Sequence, residues 1–357
     1  MQRILKGENM KKIIIIILFL TITFMCYTFA PRNGVPNTDE LWFPQDTLDI
    51  TTIQTIEKQV GEDFKILQLT DTQISTTLEG KQLTEIVTTL VEENDPDLII
   101  ITGDLSQGPY NAQNIKYQIK LFDSFEIPWA PIFGNHDAEL GADKYYLAEL
   151  YNASEYCLFE CGPYNIKGVG NYVINIVEDD LIIQSLYMID SGQYMDSKKL
   201  FTGDYDYIGI TQIEWYKWNV EQISINELGT YDPLTDTVVP SMAFFHIPLP
   251  EFDDAYTAWE ESDYDTSIGK GDKEEDICDS PINSHFFEVI KEYNSTKYIM
   301  VGHDHVNNFE ILYQGVTLKY GLKTGTGSYF TEGSTGGTLI TITAADNSIT
   351  IEDKVVT

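Results

Sequence analysis

The 357-residue sequence predicts an α/β domain, and three observations carry that prediction. Between Phe64 and Phe133, apolar runs with strand character alternate with runs at helical spacing. Five apolar runs, spread along the chain, each end in a short polar cluster. Of only five histidines, four (His136, His246, His303 and His305) lie in those clusters.

The elements follow in order. Residues 31–62 read as a lead-in of loops and a short strand. Phe64 to Thr70 alternates and continues as a strand ending at Asp71. Lys81 to Asn94 places Leu83, Ile86, Val87, Leu90 and Val91 at helical spacing. Leu98-Ile99-Ile100-Ile101 is a continuous apolar run, predicting a strand buried on both faces and ending at Gly103-Asp104. Asn111 to Phe125 predicts a helix. Ile127 to Phe133 predicts the third strand, leading into Gly134-Asn135-His136-Asp137.

After a helix from about Ala142 the chain turns β-rich. Asn171–Val177 and Leu181–Ile189 flank Glu178-Asp179-Asp180 as a hairpin. Thr211 to Ile225 predicts a helix with Thr211 as its N-cap. Met242 to Phe245 is an apolar strand ending at His246. Glu251 to Asp276 holds eleven carboxylates and two lysines and reads as a long solvated loop. Ser284 to Tyr293 predicts a helix, and Tyr298 to Val301 a strand ending at Gly302-His303-Asp304-His305. Thr338–Thr343 and Ile349–Ile351, around Asp346-Asn347, predict a closing hairpin over 331–357.

Composition narrows the function. A net charge of −34 repels nucleic acid and anionic membranes. Phosphate chemistry on such a surface needs local positive charge, most simply from metal ions. The N-terminus carries Arg3, Lys6, Lys11 and Lys12 before an apolar run from Ile13 to Ala30, the pattern of a secretory signal over residues 1–30. Thr28-Phe29-Ala30 offers a cleavage site and Pro31 opposes it, so an uncleaved anchor stands beside a cleaved peptide. Both place the remainder in the secretory pathway, secreted, in a lysosomal or vacuolar lumen, or anchored. Membrane contact is expected only through that segment. Asn152-Ala153-Ser154 and Asn294-Ser295-Thr296 are glycosylation acceptors if exposed. Cys157 and Cys161 are spaced for a small-loop disulfide or remain free thiols.

The polar clusters specify a chemistry. Asp71, Asp104, Asn135, His246, His303 and His305 combine carboxylates, imidazoles and an amide oxygen. With no thiolate among them, the set suits first-row divalent or trivalent metals (Fe, Mn, Zn or Mg) rather than a structural zinc. In open α/β sheets such strand ends meet in the crevice where ligands bind. A carboxylate such as Asp104 can bridge two ions, and two ions clamp the attacking and leaving oxygens of a phosphoryl displacement.

Asp71, Gly103-Asp104, Gly134-Asn135-His136-Asp137, His246 and Gly302-His303-Asp304-His305 occur in the order of the calcineurin-like metallophosphoesterase superfamily, which the chain resembles over about residues 63–330. Phe245-His246-Ile247-Pro248-Leu249-Pro250-Glu251 and Thr211-Gln212-Ile213-Glu214-Trp215 resemble its purple-acid-phosphatase-like branch of plants, fungi and protists. The resemblance implies two face-to-face mixed β-sheets flanked by helices. It implies a first ion on Asp71, Asp104 and His305 and a second on Asp104, Asn135, His246 and His303. A bridging hydroxide would attack phosphorus in line, and His136, oriented by Asp137, would serve the leaving group of a phosphoester substrate.

The chain departs from that pattern at the first ion. Gln73 stands where the family has a histidine, and Gln107 where the plant purple enzymes have a tyrosine. Gln73 is expected to bind through its amide oxygen, which disfavours zinc relative to Mn or Mg. A phosphomonoesterase is the resulting expectation. A phosphodiesterase acting on nucleotide or lipid head-group esters uses the same ligands, and Gln73 also leaves room for a metal-poor binding protein without turnover. If Gln73 turns away, the first site is empty and one metal remains on the Asn135, His246 and His303 side. His285 reads as a rim or core histidine.

Overall fold

A computed structural model describes residues 52–195 and 204–356. The N-terminal apolar run and Cys26 lie outside the described residues. Among those described, no helix is long and apolar enough to cross a membrane.

The first described element, β1 (Gln54–Glu57), pairs in parallel with residues 174–177 and so belongs to the main body. β2 (Phe64–Leu69), α1 (Thr77–Asn94), β3 (Leu98–Thr102), α2 (Asn111–Asp123), β4 (Trp129–Ile132) and α3 (Lys144–Asn152) follow as strand–helix repeats. The three strands are parallel neighbours. α1 is started by a capping box, with Thr76 accepting from Glu79 and Glu79 reaching back to the cap. β3 is buried along its whole length, as its unbroken apolar run requires.

The second half begins with the hairpin β5 (Tyr172–Glu178) and β6 (Leu181–Met188). Then come α4 (Ile210–Leu228), β7 (Ser241–Phe244), α5 (Glu251–Glu261), β8 (Gly269–Lys270), α6 (Phe286–Tyr293) and β9 (Thr296–Val301). β10 (Glu310–Tyr313), β11 (Val316–Tyr320), β12 (Gly336–Ile342) and β13 (Ile349–Val355) complete the chain.

The described strands form two sheets. One has eight strands in the order β1-β5-β6-β7-β9-β11-β10-β8; the other has five in the order β13-β12-β2-β3-β4. Period-two alternation divides the larger sheet between two cores. Ile174, Leu186, Met242 and Met300 join the cluster of the five-stranded sheet, whereas Val173, Tyr187, Ala243 and Ile299 pack with α4 and α6. The architecture is two mixed sheets with helices outside.

Two local expectations are corrected, and one hairpin is added. Gly209, not Thr211, caps α4; the Thr211 hydroxyl accepts instead from the Lys167 amide at 3.0 Å. The acidic stretch at 251–276 is not a solvated loop. Its first half is α5, with Phe252, Ala255 and Trp259 buried on one side and Glu251, Asp253 and Asp254 in the first turn, where carboxylates favour the helix dipole. The β10–β11 hairpin was not foreseen. Its turn, Gln314-Gly315, has φ of 49° and 88°, the left-handed pair that a two-residue hairpin needs. Cys157 and Cys161 are separate thiols.

Candidate metal centre

The carboxyl ends of β2, β3 and β4 in one sheet and of β7 and β9 in the other lie together, because strands within each group run parallel. Cross-sheet hydrogen bonds join the two groups. Gln68 donates to the Val301 carbonyl at 3.1 Å, and His246 Nδ1 lies 2.8 Å from the Thr102 carbonyl. Asp71, Asp104, Asn135, His246, His303 and His305 therefore meet, all buried. Donor atoms of Asp71, Asp104 and His246 lie within 4.8 Å of one another.

The spacings are those of ligands around a cation. His246 Nε2 stands 3.0 Å from Asn135 Oδ1, 3.3 Å from Asp104 Oδ2 and 3.3 Å from His303 Nδ1. His305 Nε2 stands 3.3 Å from Asp71 Oδ1. Donors about 2.1 Å from one ion are separated by about 3.0 Å in an octahedron and about 3.4 Å in a tetrahedron.

Hydrogen bonds outside the cluster fix the histidine tautomers. His246 Nδ1 faces only a carbonyl there, so it carries the proton and Nε2 presents its lone pair. His305 does the same, with Nδ1 donating to the Tyr329 carbonyl at 3.0 Å. Asn135 turns its amide nitrogen to the Tyr194 hydroxyl at 3.2 Å and so points its oxygen at His246. A metal ion would take up these facing lone pairs; without one, a proton on His246 Nε2 serves the Asp104 carboxylate. Asp71 Oδ1 and His303 Nε2 are buried without any hydrogen-bond partner.

Backbone strain marks the same residues. Asp71, Gln73, Asp104 and His303 have φ of 50°, 36°, 52° and 80°, a region that residues other than glycine adopt at a cost. Asp71 and Gln73 are therefore not on an extended segment.

Burial opposes ionisation of Asp71 and Asp104, yet His305 and His246 hold both carboxyl groups well below the ordinary range. Burial likewise opposes the charged form of His246, but Asp104 and Asp71 raise it to about 9. Burial, with His246 alongside, lowers His303 to about 3 and keeps it neutral.

His136 follows Asn135 at the rim, its side chain 22% exposed. Its amide donates to Asp104 Oδ1 at 2.8 Å, which ties the β4 loop to the β3 loop. The expected partner, Asp137, does something else. Its carboxylate accepts from the amides of Asp104, Ser106 and Gly134 at 3.0, 3.0 and 2.7 Å, holding the loops together. Glu139 takes the imidazole instead, with Oε2 2.6 Å from His136 Nδ1. Burial disfavours the imidazolium, but Asp104 and Glu139 raise it to about 9.

A model of the calcineurin-like phosphoesterase family matches residues 64–307. The chain belongs to that family. Among its relatives is "Probable inactive purple acid phosphatase 14" of Arabidopsis thaliana, 28% identical over 287 residues, which span 72% of this chain and 69% of that one. "Phosphatase DCR2" of Saccharomyces cerevisiae is 29% identical over 225 residues, 60% of this chain and 36% of that one. A dimetal phosphatase from Danio rerio superposes with a TM-score of 0.49 at 11% identity, covering 80% of this chain and 98% of that one.

Calcineurin-like phosphoesterases use two ions, and here the two halves of the centre differ. Gln73 does not present its oxygen to the centre. Gln73 Oε1 accepts from Lys323 Nζ at 2.9 Å, and Gln73 Nε2 donates to Asp104 Oδ2 at 3.1 Å. An ammonium only donates and a carboxylate only accepts, so these two contacts set the amide orientation. The same ammonium donates to the Asp71 carbonyl at 2.9 Å. Burial lowers Lys323 to about 8 against the attraction of Asp71 and Asp104. Sequence reasoning missed both Lys323 and Glu139. Tyr110 is 64% exposed at the start of α2 and does not replace the tyrosine absent at Gln107. His285 is neither core nor ligand; its side chain is 57% exposed ahead of α6 and lies 3.7 Å from Glu288.

Proposed function

We propose that the chain is a metal-dependent phosphoester hydrolase acting on phosphomonoesters in the secretory pathway. The observation that carries this reading is the facing of lone pairs at the strand ends. His246 Nε2 against Asn135 Oδ1, Asp104 Oδ2 and His303 Nδ1 makes a cluster of lone pairs suited to a metal ion. Asp104, Asn135, His246 and His303 would hold such an ion, and Asp71, Asp104 and His305 border the pocket beside it. Bound there, a metal ion neutralises phosphate charge and acidifies water for attack near neutrality.

The chain's own groups do the rest. His136 keeps Nδ1 on Glu139, so Nε2 is the atom free to hand a proton to the departing oxygen. Asp137 keeps the β3 and β4 loops at fixed separation, which sets His136 relative to Asp104. Tyr194 and Tyr205 stack at 5.5 Å, and Tyr205 stands edge-on to His303 at 4.4 Å. This aromatic pair beside His303 supports the reading of a terminal phosphate over a diester continuing past the centre. The N-terminal apolar segment supports the compartment.

The test is a panel of esters assayed on stripped protein with Mn, Mg, Fe or Zn added back. p-Nitrophenyl phosphate is expected to be hydrolysed faster than bis(p-nitrophenyl) phosphate. A faster diester rate would move the assignment to a phosphodiesterase, and no turnover with any metal would remove the enzyme reading.

A further inference from the structure

The first ion pocket departs from the family pattern at Gln73, which acts together with Lys323. Gln73 brings a hydrogen-bond donor, not a ligand, to Asp104 Oδ2. Lys323 holds it in that orientation and places its amino group one amide group away from Asp104. Among the described residues this leaves Asp71, Asp104 and His305 as the family-pattern ligands of that pocket. A divalent ion entering it would meet an N–H in place of its fourth ligand and an ammonium behind that.

Lys323 is not an errant surface lysine. It is 2% exposed. The segment that carries it is pinned along the β2 loop. Thr324 donates to the Thr70 carbonyl at 2.9 Å and Gly325 to the Asp71 carbonyl at 3.2 Å. Thr70 in turn donates to the Thr324 hydroxyl at 3.1 Å. The contact is intimate on the far side as well. A Cβ on Gly325 would lie 2.1 Å from the Thr72 carbonyl oxygen, and one on Gly327 2.0 Å from that of Gln73. The backbone thus delivers the Lys323 side chain to Asp71 and Gln73 with little freedom.

The second pocket keeps its full set. Asp104 Oδ2, Asn135 Oδ1 and His303 Nδ1 surround His246 Nε2 at 3.0–3.3 Å, and none of them touches Lys323.

We propose that Lys323 takes the place of one of the family's two metal ions, so that the centre holds a single ion on Asp104, Asn135, His246 and His303. The Lys323 ammonium supplies, through Gln73 and the Asp71 carbonyl, part of the positive charge that the first ion supplies elsewhere in the family. A one-ion centre with a protein-borne cation beside it lacks a bridged pair of ions. This inference rests on the metal-binding reading of the second pocket.

The experiment is a metal count. The chain is stripped, reloaded with Mn, desalted and measured by plasma mass spectrometry, with the Mn spectrum recorded by electron paramagnetic resonance. The wild type is expected to hold one Mn per chain with the isolated six-line signal. His246→Ala is expected to lose that ion, and His305→Ala to keep it. Gln73→His combined with Lys323→Met is expected to hold two, with an exchange-coupled spectrum. Two ions or a coupled spectrum in the wild type would overturn the proposal while leaving the hydrolase reading intact. No ion in the wild type would overturn both. One ion in a folded double variant would overturn the role given to Lys323 and Gln73. If that variant does not fold, the wild-type spectrum and the two alanine variants decide the question.

Discussion

Glu139 Oε2 lies 2.6 Å from His136 Nδ1, three residues along the same loop, and the adjacent Asp137 does not touch the ring. Glu139 therefore sets which imidazole nitrogen faces the substrate. Glu139→Gln is expected to lower kcat about 10–100-fold with KM little changed, the scale seen when a histidine loses its orienting carboxylate. An unaltered kcat would remove Glu139 from the site.

His136→Ala should cost more. Losing a general acid lowers turnover about 10²–10⁴-fold. Because His136 is bonded through its amide to Asp104 and its ring does not join the ligand set, metal content should stay at the wild-type level. A parallel loss of metal would make it a ligand instead.

Metal should also stabilise the fold. Asn135 Oδ1, Asp104 Oδ2 and His303 Nδ1 crowd His246 Nε2 at 3.0–3.3 Å, lone pairs that an ion would bring together. An ion that binds only the folded chain adds about 2.7 kcal/mol at a hundredfold excess over Kd. Thermal melts with and without Mn should show that rise, and His246→Ala should abolish it. Equal melting with and without metal in the wild type would count against the centre.

The strand ends were legible in the sequence because burial on both faces writes itself as an unbroken apolar run, and the polar residue that follows has no structural reason to be there. Leu98–Thr102 followed by Gly103-Asp104 is the clearest case. α5 was hidden by its acids, although Phe252, Ala255 and Trp259 at spacings of three and four were a readable signal. Lys323 was hidden because its sequence neighbours resemble a polar loop. Its role comes from Asp71 and Gln73, some 250 positions earlier, and no local pattern records such a contact. Glu139 was passed over for the nearer Asp137; adjacency along the chain was a poor guide where the loop turns back on itself.

Gly327→Ala tests the seam that holds Lys323 in place. The added methyl would stand 2.0 Å from the Gln73 carbonyl oxygen, and backbone cannot yield as a side chain does. Overpacking of this kind costs about 1–3 kcal/mol. The urea midpoint should fall accordingly; an unchanged midpoint would mean that the segment moves freely.

If the chain is made in a host that glycosylates asparagines, Asn152 should carry the glycan and Asn294 should not. Asn152 is exposed at the end of α3. The Asn294 amide is engaged with the Pro233 carbonyl and Asp236, and Thr296 of its triplet is buried against Tyr216. Asn152→Gln should increase gel mobility and Asn294→Gln should not; the reverse pattern would contradict the burial argument.

β12 lies between β13 and β2, with Leu339 opposite Leu67. β2 therefore emerges early in synthesis but stays an open edge until the far end of the chain arrives. At ordinary translation speeds that wait is about 15–50 s. Throughout it, a strand whose Ile66, Leu67 and Leu69 end up fully buried offers unpaired backbone to any passing β-segment. The C-terminal hairpin, remote from the metal ligands in sequence, thus determines whether the nascent protein reaches its native sheet or aggregates through that edge. Truncations that spare every ligand but remove β12 should accumulate as insoluble chains.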